Sequence, residues 1–307
     1  MDESQARAQL QTEYPAICEL CGGFVSPSPL EQASAGSRIE CTNNDSPLFH
    51  VLDGVHFEIS EVHVAGQLLV SAGEMQLSGL RFSSSGSRRR RLSSLHEHHM
   101  HGRRLRNAFN GTGGGLRVLG GDVQVNGSTF RELVAERGGA VSLEGGTLAV
   151  HDSSFIGNQA TLEGGAVYAN SGQLQLINSV LERNDANSGG ALAVAQQRNG
   201  YGNPAVVTVD NSYIANNTAA RGAGVHVDSG STRVMRTRLA ENHASQRGGG
   251  VNVNSGELHF SDGSQFINNT ADGGGQSAYV EGETGQLRYA LPVSRGDRTL
   301  WHEFSYL

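Results

Sequence analysis

FIGNQATLEGGAVYAN, residues 155–170, is the stretch that decides the fold, because its parts return along the chain at a nearly constant spacing. It joins a large apolar residue, an Asn three positions later, paired glycines followed by Ala, and a short apolar run. Gly-Gly-Ala-type elements begin, with spacings of 26, 25, 33, 26 and 25 residues, at Gly138, Gly164, Gly189, Gly222, Gly248 and Gly273. A fixed period in this range indicates stacked structural repeats.

Short runs of alternating apolar and polar residues lie between the glycines, as in Gln173-Leu174-Gln175-Leu176. Such alternation is typical of a strand with one buried face. Each period holds three such runs, and the turns between them are too short for a helix. All strands are paired if the chain coils, so that each strand lies about 4.8 Å from its equivalent one turn below. The prediction is an all-β, single-stranded parallel β-helix with three short strands and about 25 residues per coil.

The period also predicts the organisation of the chain. Residues 39–287 form the β-helix, with insertions at 83–110 and 195–206. Residues 1–38 show no period and are expected to be a lead-in or cap, since a stacked repeat leaves its end coils uncovered. Residues 288–307 lack the period too and are interpreted as a tail that is truncated.

Stacking places equivalent side chains above one another, which predicts structural columns rather than an active site. One column is an interior apolar stack of Phe130, Phe155, Leu181, Tyr213, Leu239 and Phe266. Another is a turn ladder of Asn158, Asn184, Asn216, Asn242 and Asn269. An Asn at a turn tolerates a left-handed backbone, and its amide bonds to neighbouring turn groups.

The tandem pattern of F-x-x-N followed by G-G-A-[ILV] resembles the repeat of chlamydial polymorphic outer membrane proteins, which is also found in surface proteins of algae and other protists. FIGNQATLEGGAV, YIANNTAARGAGV and LAENHASQRGGGV are all similar to it, and the likeness covers residues 105–287 best. The resemblance implies a right-handed, pectin-lyase-like β-helix. It also implies surface display and adhesion.

Composition and charge exclude several function classes. The net charge is −7, and the segment 83–106 has seven Arg against one Glu, so the remainder carries −13. An acidic body with one basic arm does not fit a nucleic-acid partner. All 23 basic residues are Arg, which excludes Lys chemistry. No apolar run has the 18 or more residues that favour a membrane span, and the N-terminal residues show no signal peptide.

Cys18, Cys21 and Cys41 precede the repeats. A single Cys-x-x-Cys with one distant Cys lacks the fourth ligand of a structural zinc site. The favoured interpretation is a disulfide between two of the three, which would indicate an oxidising compartment. Their redox state and the compartment stay open.

The two insertions are where a site outside the repeat is expected. The insertion at 195–206 offers Arg198, Tyr201 and Asn203 as a possible ligand loop, against the alternative of a tolerated surface loop. The insertion at 83–110 contains four candidate metal ligands, within a segment whose composition favours a solvated arm. Its Arg run also resembles processing and kinase sites. Those candidates are His96, His98, His99 and His101.

Five Asn-x-Ser/Thr sequences occur, and Asn110 and Asn268 are the candidates for N-glycosylation. Asn216 is set aside because a ladder amide has no room for a glycan.

A catalytic set is not found. Galacturonan hydrolases of this fold need clustered carboxylates, whereas Asp152, Asp210 and Asp262 come from three separate coils. The expected function is therefore a noncatalytic extracellular or cell-surface scaffold that binds glycans or proteins without a cofactor. The alternatives are a polysaccharide-active lyase, hydrolase or epimerase, and an intracellular interaction scaffold.

Overall fold

The computed structural model describes residues 18–20, 23–25, 38–40, 49–51, 56–60, 63–83, 109–195, 203–280 and 285–289. Strands and turns make up this part of the chain, which contains no helix. The strands stack as a parallel β-helix with about 26 residues per turn, as the repeat spacing predicted.

Four sheets run along the axis of the β-helix, and each full turn contributes one strand to each sheet in order. Sheet 1 contains Cys18–Leu20, Gly23–Val25, Phe49–Val51, Leu68–Val70, Leu116–Val118, Val141–Leu143, Val167–Ala169, Leu192–Val194, Val225–Val227, Val251–Val253 and Ala278–Val280. Sheet 2 contains His56–Ser60, Glu74–Ser78, Asp122–Asn126, Thr147–His151, Gln173–Ile177, Val206–Asp210, Ser231–Met235, Gly256–Ser261 and Gly285–Tyr289. Sheet 3 contains Arg38–Glu40, His63–Ala65, Arg81–Ser83, Thr129–Arg131, Ser154–Ile156, Val180–Glu182, Tyr213–Ala215, Arg238–Ala240 and Gln265–Ile267. Sheet 4 contains Phe109–Thr112, Val134–Arg137, Gln159–Glu163, Asp185–Ser188, Thr218–Arg221, His243–Arg247 and Thr270–Ala271.

A full turn has four strands, whereas the sequence predicted three. The strand that was not predicted belongs to sheet 4. Its strands lie between the Asn ladder and the paired glycines, as Gln159–Glu163 does. The sequence QATLE carries one buried residue, Ala160, followed by exposed ones, and the pairing shifts register within several of these strands. Alternation is therefore too weak there to reveal a strand.

The remaining pairing is parallel and in register along the described turns, apart from the N-terminal end of sheet 1. There, Cys18–Leu20 and Gly23–Val25 form an antiparallel pair, and Cys18 is opposite Val51 of Phe49–Val51. This pair lies at the end of the sheet, within the region that the sequence assigned to a lead-in or cap.

The core fills the space enclosed by the sheets. Phe82, Phe130 and Phe155 stack with centroid separations of 4.3 and 4.8 Å and nearly parallel rings. In register with them lie Leu181, Ile214, Leu239 and Phe266. Tyr213 was wrongly assigned to this column: Ile214 is fully buried, and Tyr213 faces outward beside Arg238.

The Asn ladder exists, with one member corrected. Each buried side-chain Oδ1 accepts hydrogen bonds from the backbone N–H of the preceding ladder residue and, where that residue is Asn, from its Nδ2. Asn217, not Asn216, occupies the column, because it accepts from Asn184 and donates to the Leu181 carbonyl. The ladder is Asn158, Asn184, Asn217, Asn242 and Asn269.

The left-handed backbone lies one residue before the ladder, not on the ladder Asn as expected. Gly157 (φ 66°), Arg183 (φ 57°) and Asn216 (φ 55°) occupy this position on three turns in succession. The ladder residues themselves have negative φ, and their side-chain amides are buried in the interior.

A second ladder is formed by small hydroxyl residues at the turn between sheets 2 and 3. The Ser153 hydroxyl accepts from the Ser128 backbone N–H at 3.1 Å and donates to the His151 carbonyl at 2.7 Å. The column contains Ser128, Ser153, Ser179, Ser212, Thr237 and Ser264. These buried hydroxyls satisfy backbone groups that the turn leaves without a strand partner.

The paired glycines form the bend between sheet 4 and sheet 1. Gly164 has φ 68°, a conformation that favours glycine. A Cβ on Gly165 would lie 2.1 Å from the Gly190 carbonyl oxygen on the next turn. At Gly165 the close approach between turns therefore leaves no room for a side chain.

The described part of the chain holds no helix with the length and hydrophobicity needed to cross a bilayer.

Candidate functional site

The outward face of sheet 1 carries a row of varied side chains along the axis of the β-helix. Because side chains alternate across a strand, the middle residue of each three-residue strand points away from the core. From the second described full turn onward these residues are Arg117, Ser142, Tyr168, Ala193, His226, Asn252 and Tyr279. No two neighbours in this row are alike.

Two further rows flank this one. The row at the carboxyl ends of the sheet 4 strands is Arg137, Glu163, Ser188, Arg221 and Arg247. The row that directly follows the sheet 1 strands is Glu144, Asn170, Ala195, Asp228 and Asn254. We call the three rows together the outer strip.

The N-terminal part of the outer strip is held by ion pairs. Arg117 donates to Glu144 at 2.9 Å through Nε, and Thr112 and Ser142 also donate to this carboxylate. Burial would raise the pKa of Glu144, but the hydrogen bonds from Arg117 and Thr112 outweigh it and hold the pKa below its ordinary value. Glu144 is therefore ionised at neutral pH and is a poor proton donor.

Tyr168 lies beside a second ion pair. Arg137 donates to Glu163 at 3.0 Å, and its guanidinium lies 6.0 Å from the Tyr168 ring centroid. Burial, with the Glu163 charge, raises the pKa of Tyr168 to about 12. The phenol stays protonated at neutral pH, so it offers a polar donor on a large apolar ring.

His226 lies in the C-terminal part of the outer strip. It is 5% exposed, and its Nδ1 lies 3.1 Å from Nδ2 of Asn252 on the next turn. Burial lowers the pKa of His226 to about 4; the Asp228 charge opposes this shift and the Arg221 charge adds to it. The imidazole is therefore neutral at pH 7.

Several polar atoms in the outer strip have no hydrogen-bond partner among the described residues. They include Asn170 Oδ1, Asn252 Oδ1 and Arg221 Nε, and each of these atoms is buried. Buried polar atoms are usually paired, because leaving one unpaired costs about 1–3 kcal/mol. Unpaired groups of both kinds, acceptors and a donor, are thus concentrated on this face.

The ligand loop predicted at 195–206 is only partly described. Arg198 and Tyr201 lie outside the described residues. Asn203 is exposed, and its carbonyl accepts a hydrogen bond from Ser171 Oγ at 2.8 Å. Ala195 is buried within the outer strip, so the loop leaves the β-helix from one edge of that strip.

The other candidates give a mixed result. His96, His98, His99 and His101 lie outside the described residues, as do Cys21 and Cys41, whereas Cys18 lies in its N-terminal strand. Within the described ranges, no three His, Cys, Asp or Glu side chains are grouped to hold a metal ion.

The glycosylation candidates change with the ladder correction. Asn216 is exposed, so the reason for setting it aside was wrong. Asn268 is equally exposed and has a similar backbone conformation, with φ 51° against 55° for Asn216. Asn110 lies in Phe109–Thr112, and its side chain is outside the described set.

The outer strip was missed because sequence reasoning looked for function only where the period breaks. A signal was present: in Val167-Tyr168-Ala169 the alternation already places Tyr168 outward. Aligning the repeats on their paired glycines would have shown that this column varies while the inward columns of the same strands stay aliphatic.

Comparisons of the chain with protein-family models, curated proteins and solved structures gave no match. The likeness to the chlamydial repeat therefore rests on its motifs alone, and the β-helix fold rests on the structure.

Proposed function

We propose that the protein is a noncatalytic extracellular or cell-surface scaffold that binds a glycan or protein partner along the outer strip. The interior columns use the recurrent residues for the fold, so a ligand has to be recognised by the residues that vary. Stacked repeats commonly present such extended binding surfaces.

The observation that carries this proposal is the variety of the row Arg117 to Tyr279 on an otherwise uniform backbone. It combines aromatic rings, amides and charges. Tyr168 supplies an aromatic ring with a hydroxyl, and Asn252 and Arg221 each have a buried polar atom without a partner among the described residues. Glycans present both hydroxyl groups and apolar C–H faces, which suits this combination.

A polysaccharide-active enzyme is the second candidate, because His226 and Tyr168 have shifted pKa values on the same face. Shifted groups cluster at active sites, although structural networks shift them as well. Two observations weigh against catalysis. Glu144 and Glu163 are committed to ion pairs, and His226 and Tyr168 lie two turns apart, about 10 Å by strand spacing.

One experiment separates the two candidates. The purified chain is incubated with a panel of neutral and acidic polysaccharides, and binding is measured by affinity electrophoresis while reducing ends and unsaturated products are measured in parallel. We expect retention on at least one polysaccharide without product, and weaker retention for Tyr168→Ala than for Tyr213→Ala, an outward Tyr on sheet 3. Product formation would favour the enzyme, and no retention on any polysaccharide would remove the glycan-binding proposal.

A further inference from the structure

Arg221 has no ion pair among the described residues, in contrast to two other arginines of the outer strip. Arg117 and Arg137 are paired with Glu144 and Glu163 at 2.9 and 3.0 Å. No carboxylate of the described residues lies within ion-pair distance of Arg221, and its buried Nε has no acceptor there. A partly buried cation without a counter-charge is costly, since desolvation is not offset by attraction.

The neighbours of Arg221 along its row do not supply that counter-charge. The residue is opposite Ser188 on one side and Arg247 on the other. Arg247 in turn lies 4.9 Å from the Tyr279 ring centroid. Neither neighbour in the row therefore supplies a negative charge to Arg221.

His226 adds a second donor next to Arg221. Asn252 Nδ2 is a donor, so the imidazole nitrogen that it contacts, Nδ1, acts as the acceptor. In a neutral imidazole the proton is then on Nε2. A Cβ on Gly222, the residue after Arg221, would lie 3.0 Å from the His226 Cβ. The chain next to Arg221 therefore passes close to His226, and the Arg221 charge acts on the imidazole.

Asp228, two residues after His226, is engaged with another residue. Its carboxylate accepts a hydrogen bond from Asn254 Nδ2 on the next turn. Among the described residues, the Arg221 guanidinium is therefore left without a carboxylate partner.

We propose that Arg221 and His226 form a subsite for an anionic substituent, a sulfate ester or a carboxylate, on a glycan that lies along the outer strip. This inference rests on the proposed function, because it names the chemistry of a ligand bound at the same face. A guanidinium offers parallel N–H groups that match the oxygens of either anion. The imidazole Nε2–H supplies a further donor to the same group.

The test uses the full chain at pH 7 and 150 mM salt with size-defined oligosaccharides of three kinds: sulfated galactan, oligogalacturonate and uncharged dextran. Titration calorimetry gives the affinity of the native protein, Arg221→Gln, Arg221→Lys and Arg233→Gln. Arg233 is an exposed arginine on sheet 2 of the following turn, so its variant makes the same charge change away from the outer strip. Circular dichroism and thermal unfolding check that each variant is folded.

We expect one of the two acidic oligosaccharides to bind, and the one that does identifies the anion. Arg221→Gln should weaken this binding about tenfold or more, which is the loss of one charge-assisted contact. The affinity of Arg221→Lys should lie between those of the native protein and Arg221→Gln, since Lys keeps the charge but not the planar guanidinium. Arg233→Gln should change the affinity less than about twofold.

Three results would overturn the subsite. Equal losses for Arg221→Gln and Arg233→Gln would mean general attraction to polyanions. Binding of dextran alone would leave the glycan scaffold standing and remove the anionic group. Should none of the three kinds bind, the subsite and its parent proposal for acidic and neutral glycans both fail.

Discussion

The interior columns and the outer strip are built on the same repeating backbone, yet they have opposite sequence behaviour. The ladder places an Asn on five turns in succession, and the apolar stack keeps large apolar residues throughout. In the outer strip Tyr168 is followed by Ala193 and then by His226. Repetition is thus imposed where a side chain must fit its equivalent on the next turn. Outward positions are left to respond to other demands.

The largest effect is expected in the apolar stack. Phe155→Ala should lower the free energy of unfolding by about 4 kcal/mol, because a buried ring in face-to-face contact with Phe130 is replaced by a cavity. Ile156→Ala, at the half-exposed next position, is the matched control and should cost less than half as much. Urea unfolding followed by circular dichroism measures both. Equal losses would mean that the stack is no more important than the surface of its own strand.

The ladder correction gives the second comparison, between two adjacent Asn residues. Asn217→Ala should cost roughly 3 kcal/mol, since buried groups on Asn184 and Leu181 lose their partners. Asn216→Gly should be close to neutral, because Asn216 is exposed with φ 55°. Thermal unfolding of the two variants decides the register: a larger loss at position 216 would restore the assignment made from sequence.

The third comparison concerns pH and His226. The pKa of the His226 imidazole is about 4 in the folded state, against an ordinary value of 6.5. Between pH 4 and pH 6.5 the unfolded chain therefore binds this proton more readily than the folded chain does. This contribution to stability is present above pH 6.5, is lost as pH falls toward 4, and stays lost below it. The loss should reach roughly 3 kcal/mol.

His226→Gln removes this titration, and the difference in unfolding midpoint between it and the native protein should depend on pH within that window. His243→Gln, at an exposed position on sheet 4, is the control. A difference that is the same at pH 7 and pH 4.5 would show that the His226 imidazole is not buried in the neutral form.

The smallest effect is expected at the turn before the ladder, where Gly157 and Arg183 are equivalent. Arg183 has φ 57° and a side chain that is 61% exposed. Arg183→Gly should raise the free energy of unfolding by up to about 1 kcal/mol through relief of the left-handed conformation. Arg131→Gly, at an exposed strand residue, should lower it by a similar amount. A destabilised Arg183→Gly would contradict the assigned turn geometry.

The fold followed from the sequence because the period, the glycines and the alternation all indicate one architecture. Errors occurred where a local signal was ambiguous. In the turn that starts at Val206 no glycine precedes the strand, and Tyr213 and Ile214 are both large and apolar. Counting from the first of them shifted the ladder from Asn217 to Asn216.

The candidate site was far less predictable. Arg198 and Tyr201 were chosen because they interrupt the repeat, whereas the unpaired atoms of Arg221 and Asn252 lie within it. Which arginine lacks a counter-charge depends on side-chain contacts between turns. Residue types in a single repeat do not contain that information.

The most direct test of the division between interior columns and outer strip measures stability and ligand affinity on the same two variants. Asn217→Ala should lower the unfolding midpoint and leave the affinity for the bound oligosaccharide within about twofold, since its side chain contacts only interior ladder and backbone groups. Arg221→Gln should keep the midpoint and weaken binding about tenfold. A variant pair in which Arg221→Gln unfolds the protein, or Asn217→Ala loses binding while remaining folded, would contradict the division.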